Sequence, residues 1–184
     1  MWWARLLNVI SGLLAGGVAA STNSYESIST VTVGSGGVSS VSFSSIPSTY
    51  KHLQIRAICK ASDSIYMSLN SDTTNSNYYS HWLTGNGASA SASSYAGRLA
   101  PVIMAGTAAT GFSAVIWDLL DYANTNKNKT VRVLTGHDQN GSGEVGLTSM
   151  GWNNTAAISN INIAPVSGST ITQYSSFALY GIKG

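Results

Sequence analysis

Charge is what this 184-residue sequence has least of: 9 Lys and Arg and 7 Asp and Glu make up 9% of it, against roughly a quarter in an ordinary soluble domain. The formal charge of +2 is spread thinly, with no basic cluster beyond Lys127-Asn128-Lys129 and Arg132. Neutralising a phosphate backbone needs a stripe of cations, so nucleic acid is not an expected partner. The single cysteine, Cys59, excludes an intramolecular disulfide. Set in the alternating run LQIRAIC, it reads as a small buried apolar residue, because a reactive thiol needs a His and an electropositive setting that the run lacks. Long hydrophobic runs are missing too, and the most apolar stretch is too short and too broken by Gly to span a bilayer. No HxH or HExxH pair brings His52, His81 or His137 together on a metal, and no GxSxG elbow presents a serine. An enzyme is therefore not expected, nor is a cofactor.

What is present is 43% hydrophobic residue and an abundance of Ser, Thr, Asn and Gly, with 19 Gly in all. That is enough to bury one core under a neutral, turn-rich surface, and the length fits one domain. Two segments differ in character: an apolar helix and linker over 1–22, and a body over 23–184. In the first, Trp2, Trp3, Leu6, Leu7, Ile10, Leu13 and Leu14 recur at spacings of three and four, opposite Arg5, Asn8, Ser11 and Gly12. This is the pattern of an amphipathic helix, and its Trp/Leu stripe suits docking onto a partner. The competing reading is a cleaved secretory signal over residues 1–20, with Arg5, an apolar stretch and the small residues of VAAS. The stripe favours the retained anchor.

From Ser21 onward, short alternating runs are separated by Gly/Ser/Asn clusters, as strands joined by turns should be. Tyr25–Val33 and Val38–Phe43 flank Gly34-Ser35-Gly36-Gly37 and read as a hairpin. Tyr50–Lys60 puts Leu53, Ile55, Ala57 and Cys59 on one face, and Ile65, Met67 and Leu69 repeat the pattern. Further strands are expected at His81–Leu83, Arg98–Met104, Phe112–Leu120, Thr130–Leu134, Val145–Met150, Ile158–Ile163 and Phe177–Ile182. Gly85–Ser94 (GNGASASASS) has nothing to pack and reads as an exposed loop. About ten strands in two sheets of about four or five make an all-β chain, an antiparallel jelly-roll-like β-sandwich behind a short N-terminal amphipathic helix.

Candidate sites compete with plain structural readings. In GHDQNGSGEVG, Asp138, Asn140, Ser142 and Glu144 offer oxygens at alternate positions, loosely like the start of a calcium loop. Asn140-Gly141 is also a strong hairpin turn that accounts for the same residues, and this reading is preferred. Asp118 and Asp121 in WDLLDYA are better read as the end of a strand and the start of a turn than as a glycosidase pair. Among the aromatics, Trp82 and Trp117 read as core residues of their strands. Tyr78, Tyr79 and Tyr95 flank loops and are the candidates for an exposed sugar-stacking face.

The strings YESISTVTVGSGGVSSVSFSSIPSTYKHLQIR, LNSDTTNSNYYSHWLTGNG, LLDYANTNKNKTVRVLTG and QYSSFALYGIKG resemble small virion structural proteins of tailed bacteriophages. The resemblance covers most of Tyr25 to Gly184 and is carried by strands and turns, not by a catalytic motif. It implies a β-sandwich module displayed on the virion in several copies, as an accessory tail, fibre or capsid-decoration protein. It also implies a homo-oligomer, by analogy with jelly-roll spikes a trimer, in contact with other virion proteins and with a possible host-surface glycan. The alternative reading is a secreted carbohydrate-binding β-sandwich module with residues 1–20 as its signal.

Overall fold

The computed structural model describes residues 24–97, 111–166 and 168–184. The anchor stripe Trp2, Trp3, Leu6, Leu7, Ile10, Leu13 and Leu14 and the expected strand Arg98–Met104 lie outside the described residues. Eleven strands run in chain order: β1 (Tyr25–Thr32), β2 (Val41–Phe43), β3 (His52–Cys59), β4 (Ile65–Leu69), β5 (Tyr78–Gly85), β6 (Ala90–Ala96), β7 (Ser113–Leu120), β8 (Lys129–Asp138), β9 (Gly143–Trp152), β10 (Ile161–Pro165) and β11 (Ser176–Ile182). One turn of 3-10 helix, Asn75–Asn77, leads into β5.

All pairings are antiparallel and form two sheets. The larger has eight strands in the order β1-β11-β3-β7-β8-β9-β5-β6, and the smaller has three in the order β2-β10-β4. The expectation of two sheets of similar size is thus corrected to eight and three. The alternation that marked the strands also sets their faces. In β3, Leu53, Ile55, Ala57 and Cys59 are buried, and in β7 Ser113, Val115, Trp117 and Leu119 are. Both sheets contribute to one apolar core, with Trp117, Phe177, Val133 and Met150 from the large sheet and Phe43, Met67, Leu69, Ile161 and Ile163 from the small one. Sheets that bury a common core in this way make a β-sandwich.

Two sequence expectations are overturned. Tyr25–Val33 and Val38–Phe43 do not pair as a hairpin: β1 pairs with β11 and β2 with β10. Gly36 and Gly37 take left-handed φ values of 86° and 71°, and the turn lifts the chain from the large sheet to the small one. At Gly37 a Cβ would stand 2.6 Å from the Ile171 carbonyl oxygen, so only glycine admits this crossing. The expected loop Gly85–Ser94 is mostly strand. Gly85 ends β5, and Ala90–Ala96 forms β6, the exposed edge of the large sheet, paired along β5 from Tyr79↔Ala96 to Gly85↔Ala90. Backbone pairing needs no apolar alternation on an edge that buries no face.

Candidate functional site

The small sheet covers part of one face of the large one, β6 staying exposed on both sides, and the opposite face is left to solvent. On that outward face, directly opposed residues form rows that run across the strands. One row is polar and links its members side by side. The Arg132 guanidinium donates to Asp118 Oδ2 at 2.8 Å, Gln54 Nε2 donates to Asp118 Oδ1 at 2.7 Å, and Arg56 Nε donates to Gln54 Oε1 at 2.6 Å. The Arg56 guanidinium then lies over the rings of Tyr25 and Tyr180, 5.0 and 5.5 Å from their centroids. Five strands are crossed by this chain of contacts, and every charge in it has a partner.

Beside it run two apolar rows. The first opposes Ala92, Leu83, Leu147, Leu134 and Ile116, from β6 across to β7. The second opposes Ala90, Gly85, Val145, Gly136, Ala114 and Ile58. Leu83, Leu134, Leu147, Val145 and Ile58 are each between 46% and 55% exposed. A hollow of about 220 Å³ lies among them, floored at Gly85 and walled by Leu83, Leu134, Val145 and Leu147. Contiguous exposed apolar residues of this kind mark interaction surfaces. Sequence reading missed the patch, although the signal was there: in VRVLTG apolar residues fall on both faces of the strand, and in EVGLTS Val145 and Leu147 make an apolar face that β9 turns outward while Gly146 and Thr148 are buried.

The residues singled out from the sequence do not converge. Tyr78 is 1% exposed, stacked on Trp152 with centroids 6.3 Å apart, so its expected role in contacting a glycan is corrected to a core role. Tyr79 and Tyr95 are 48% and 42% exposed, but on opposite faces. Tyr79 sits opposite Gly151 and lays its ring across that glycine on the outward side, while Tyr95 sits opposite the buried Ser80. No common stacking platform joins them. Trp117 is buried, as expected, whereas Trp82, in β5, is only half-buried.

The loop proposed as a calcium-like site is the β8–β9 hairpin. Asn140 and Gly141 take φ values of 53° and 106°, Gln139 N–H donates to the Ser142 carbonyl at 2.7 Å, and the Asp138 carboxylate accepts the Asn140 N–H at 2.9 Å. Asp138 opposes Gly143, while Glu144 opposes His137 one residue on. The two carboxylates therefore point to opposite sides of the ribbon, and Asp138, Asn140, Ser142 and Glu144 do not surround one point. A cleft of about 380 Å³ lies between this hairpin and the β5–β6 turn. Among the described residues, no group of three or more His, Cys, Asp and Glu could hold a metal.

The remaining carboxylates are held by cations and amides. Asp121 begins the β7–β8 turn, as expected, with Lys127 Nζ on Oδ2 and Lys51 Nζ 2.9 Å from Oδ1. These contacts outweigh partial burial and hold its pKa at about 2. Asp118 is not at a strand end but inside β7. His52 Nδ1 accepts the Asp121 N–H at 3.0 Å, so this nitrogen is not available to activate a nucleophile. Cys59 is buried and its thiol is pushed up to about 12 by that burial, consistent with a core residue. Comparison of the chain with family models, with curated proteins and with solved structures finds no match.

Proposed function

We propose that the chain is a structural module of a tailed-bacteriophage virion, an accessory tail, fibre or capsid-decoration protein present in several copies and without catalytic activity of its own. The observation that carries this reading is the outward sheet face: its charged groups are tied to one another, and its largest unsatisfied feature is apolar and flat. Such a surface suits contact with protein in an assembly better than turnover of a small substrate. The likeness of Tyr25 to Gly184 to virion structural proteins supplies the setting. Docking to other virion proteins is assigned to the Trp2/Trp3/Leu6/Leu7/Ile10 stripe, on the strength of its amphipathic spacing. The sandwich is read as jelly-roll-like because the chain passes between the two sheets at each step from β1 to β5 and again from β9 through β10 to β11. A glycan-binding role is not part of the proposal, since Tyr79 and Tyr95 occupy opposite faces.

The test is biochemical. Particles of the virus that encodes the chain are purified through a density gradient, then analysed by mass spectrometry and by labelling with an antibody to residues 23–184. The chain is expected at several copies per particle, with label at one regular position. Its absence from purified, infectious particles overturns the reading.

A further inference from the structure

We infer that the outward face of the eight-stranded sheet pairs with the same face of a second copy of this chain, Leu134 and Leu147 of each copy seating over Gly85 and Gly136 of the other. The inference goes beyond the virion reading and does not depend on it, since two copies can pair in free solution.

The two glycines are the first ground. Glycine inside a strand weakens it, and it persists where the fold demands it or where something approaches closely. The fold demands glycine at 181, where a Cβ would stand 2.3 Å from the root of the Tyr50 ring. It makes no such demand at 85 or 136. A Cβ on Gly85 would meet nothing nearer than the Ser89 carbonyl oxygen at 3.8 Å, and one on Gly136 nothing nearer than the Glu144 carbonyl oxygen at 3.8 Å. Neither residue has a positive φ. These two positions flank Val145 in one outward row, and they leave room for side chains arriving from outside the chain.

Shape and charge identify the occupant. Leucine knobs and glycine hollows lie side by side on one patch, in adjacent rows of the same strands. A patch that carries both halves of a fit can close on itself about a two-fold axis, which makes an isologous contact. The three-fold arrangement suggested by sequence likeness would instead need knob and hollow on different surfaces. A flat, twisted sheet face is matched best by another sheet face, packed aligned at about 10 Å. The two apolar rows from β6 to β7 carry no ionisable side chain. Beside them Arg132 is paired with Asp118, and Arg56, opposite Ile116, is held on Gln54 and over the rings of Tyr25 and Tyr180, so charge is kept to the rim of the patch. An apolar centre with this polar row as its rim has the layout of a stable protein interface.

The experiment is sedimentation equilibrium of the full chain, supported by circular dichroism and thermal melting. The wild type is expected at twice the 19.1 kDa chain mass. Leu147→Lys and Gly136→Leu are each expected to raise the dimer dissociation constant at least ~30-fold, the mark of a central interface position, without changing the circular dichroism spectrum of the monomer. Thr130→Lys, outward-facing but outside the apolar rows, is expected to leave the mass unchanged. Leu134→Ser replaces Leu147→Lys if the latter fails to fold. A wild type that stays monomeric into the hundreds of micromolar overturns the inference, as does a trimeric mass. An oligomer insensitive to both substitutions does so too, and places the association elsewhere, for example in the apolar residues 1–20. A monomer whose melting temperature falls with Leu147→Lys also overturns it, because the face is then covered by the chain itself.

Discussion

The indole nitrogen of Trp152 donates a hydrogen bond to Asp72 Oδ2 at 2.8 Å, joining the end of β9 to the turn after β4 across 80 residues of chain. Asn77 Nδ2 adds a second bond to Oδ2 at 2.8 Å, and the Thr74 N–H donates to Oδ1 at 2.9 Å. The Tyr78 ring stacks on the same indole, and its phenol accepts the Leu69 N–H at 3.0 Å. One carboxylate thus fixes the position of two of the largest core side chains. Asp72→Ala leaves the buried indole N–H without its acceptor and is expected to cost about 1–3 kcal/mol. Urea unfolding followed by tryptophan fluorescence measures the loss, and an unchanged midpoint would show that the bond contributes nothing net.

Acid is expected to act most through Asp72 and Asp121, while Glu26, whose pKa is lowered by its bond to Lys183, contributes in the same direction. Burial raises the pKa of Asp72, but the bonds from Trp152, Asn77 and Thr74 more than offset this and hold it at about 2. Lys127 and Lys51 do the same for Asp121, against partial burial. In both, the folded value lies below the ordinary 3.8, so the unfolded chain binds more protons in that range. Stability from these groups is therefore complete above pH 3.8 and is lost as pH falls towards about 2. Urea midpoints measured from pH 6 to pH 2 should stay flat and then drop. The double variant Asp72→Asn/Asp121→Asn should show a shallower drop, from a lower plateau.

Lys129 is 1% exposed, and its ammonium donates to the carbonyls of Asn124, Lys127 and Thr155 at 2.6, 3.0 and 2.8 Å. Burial, and secondarily the charge of Lys127, lower its pKa. All three ammonium protons are used, and the β7–β8 turn is tied to the segment after β9. Lys129→Met keeps the stem and removes the donors, so it is expected to cost more than about 2 kcal/mol. Hydrogen exchange in 121–128 and 153–157 should quicken ahead of the strands. Exchange that stays uniform would show that the ammonium does not organise these segments.

The glycines separate by what faces them. Gly181→Ala pushes a Cβ into the Tyr50 ring near its root, where the side chain has little freedom to swing away, and overpacking of this kind costs about 1–3 kcal/mol. Gly136→Ala meets open space at an ordinary φ and is expected to be neutral or to stabilise the isolated chain by up to about 1 kcal/mol. Thermal melts of the two variants, run at a concentration where the chain is monomeric, test the contrast. Equal losses would remove it.

Where one face of a strand is buried and the other wet, the sequence was a good guide. Every second residue of LQIRAIC and SAVIWDLL is buried, and β3 and β7 fall within the segments expected for them, although Ile58, Ala114 and Ile116 are apolar on the outward face. The Asn140-Gly141 turn was legible for the same reason, because its left-handed conformations leave little other choice of residue. Pairing order was not legible. The glycine-rich link after Val33 is chemically a hairpin turn, and only the core decides that the next strand joins the other sheet. β6 was hidden because ASASSYA buries nothing and is held by its backbone alone. The outward Leu83, Leu134 and Leu147 were taken into the strand count, but their alignment in a single row depends on register, which no one strand contains.

Register also has a consequence in time. β11 lies between β1 and β3, with Tyr25 opposite Ile182 and Leu53 opposite Gly181, so the first strand of the large sheet has no neighbour until the last one is made. Contacts between segments this distant close late and slowly. On a ribosome β1 must wait, unpaired, until Ser176–Ile182 is made, and loss of that strand would bare two further strand edges, the inner edge of β1 and the facing edge of β3. The large sheet is thus completed only once Ser176–Ile182 has been made, and a copy terminated before it would lack the strand that pairs with β1.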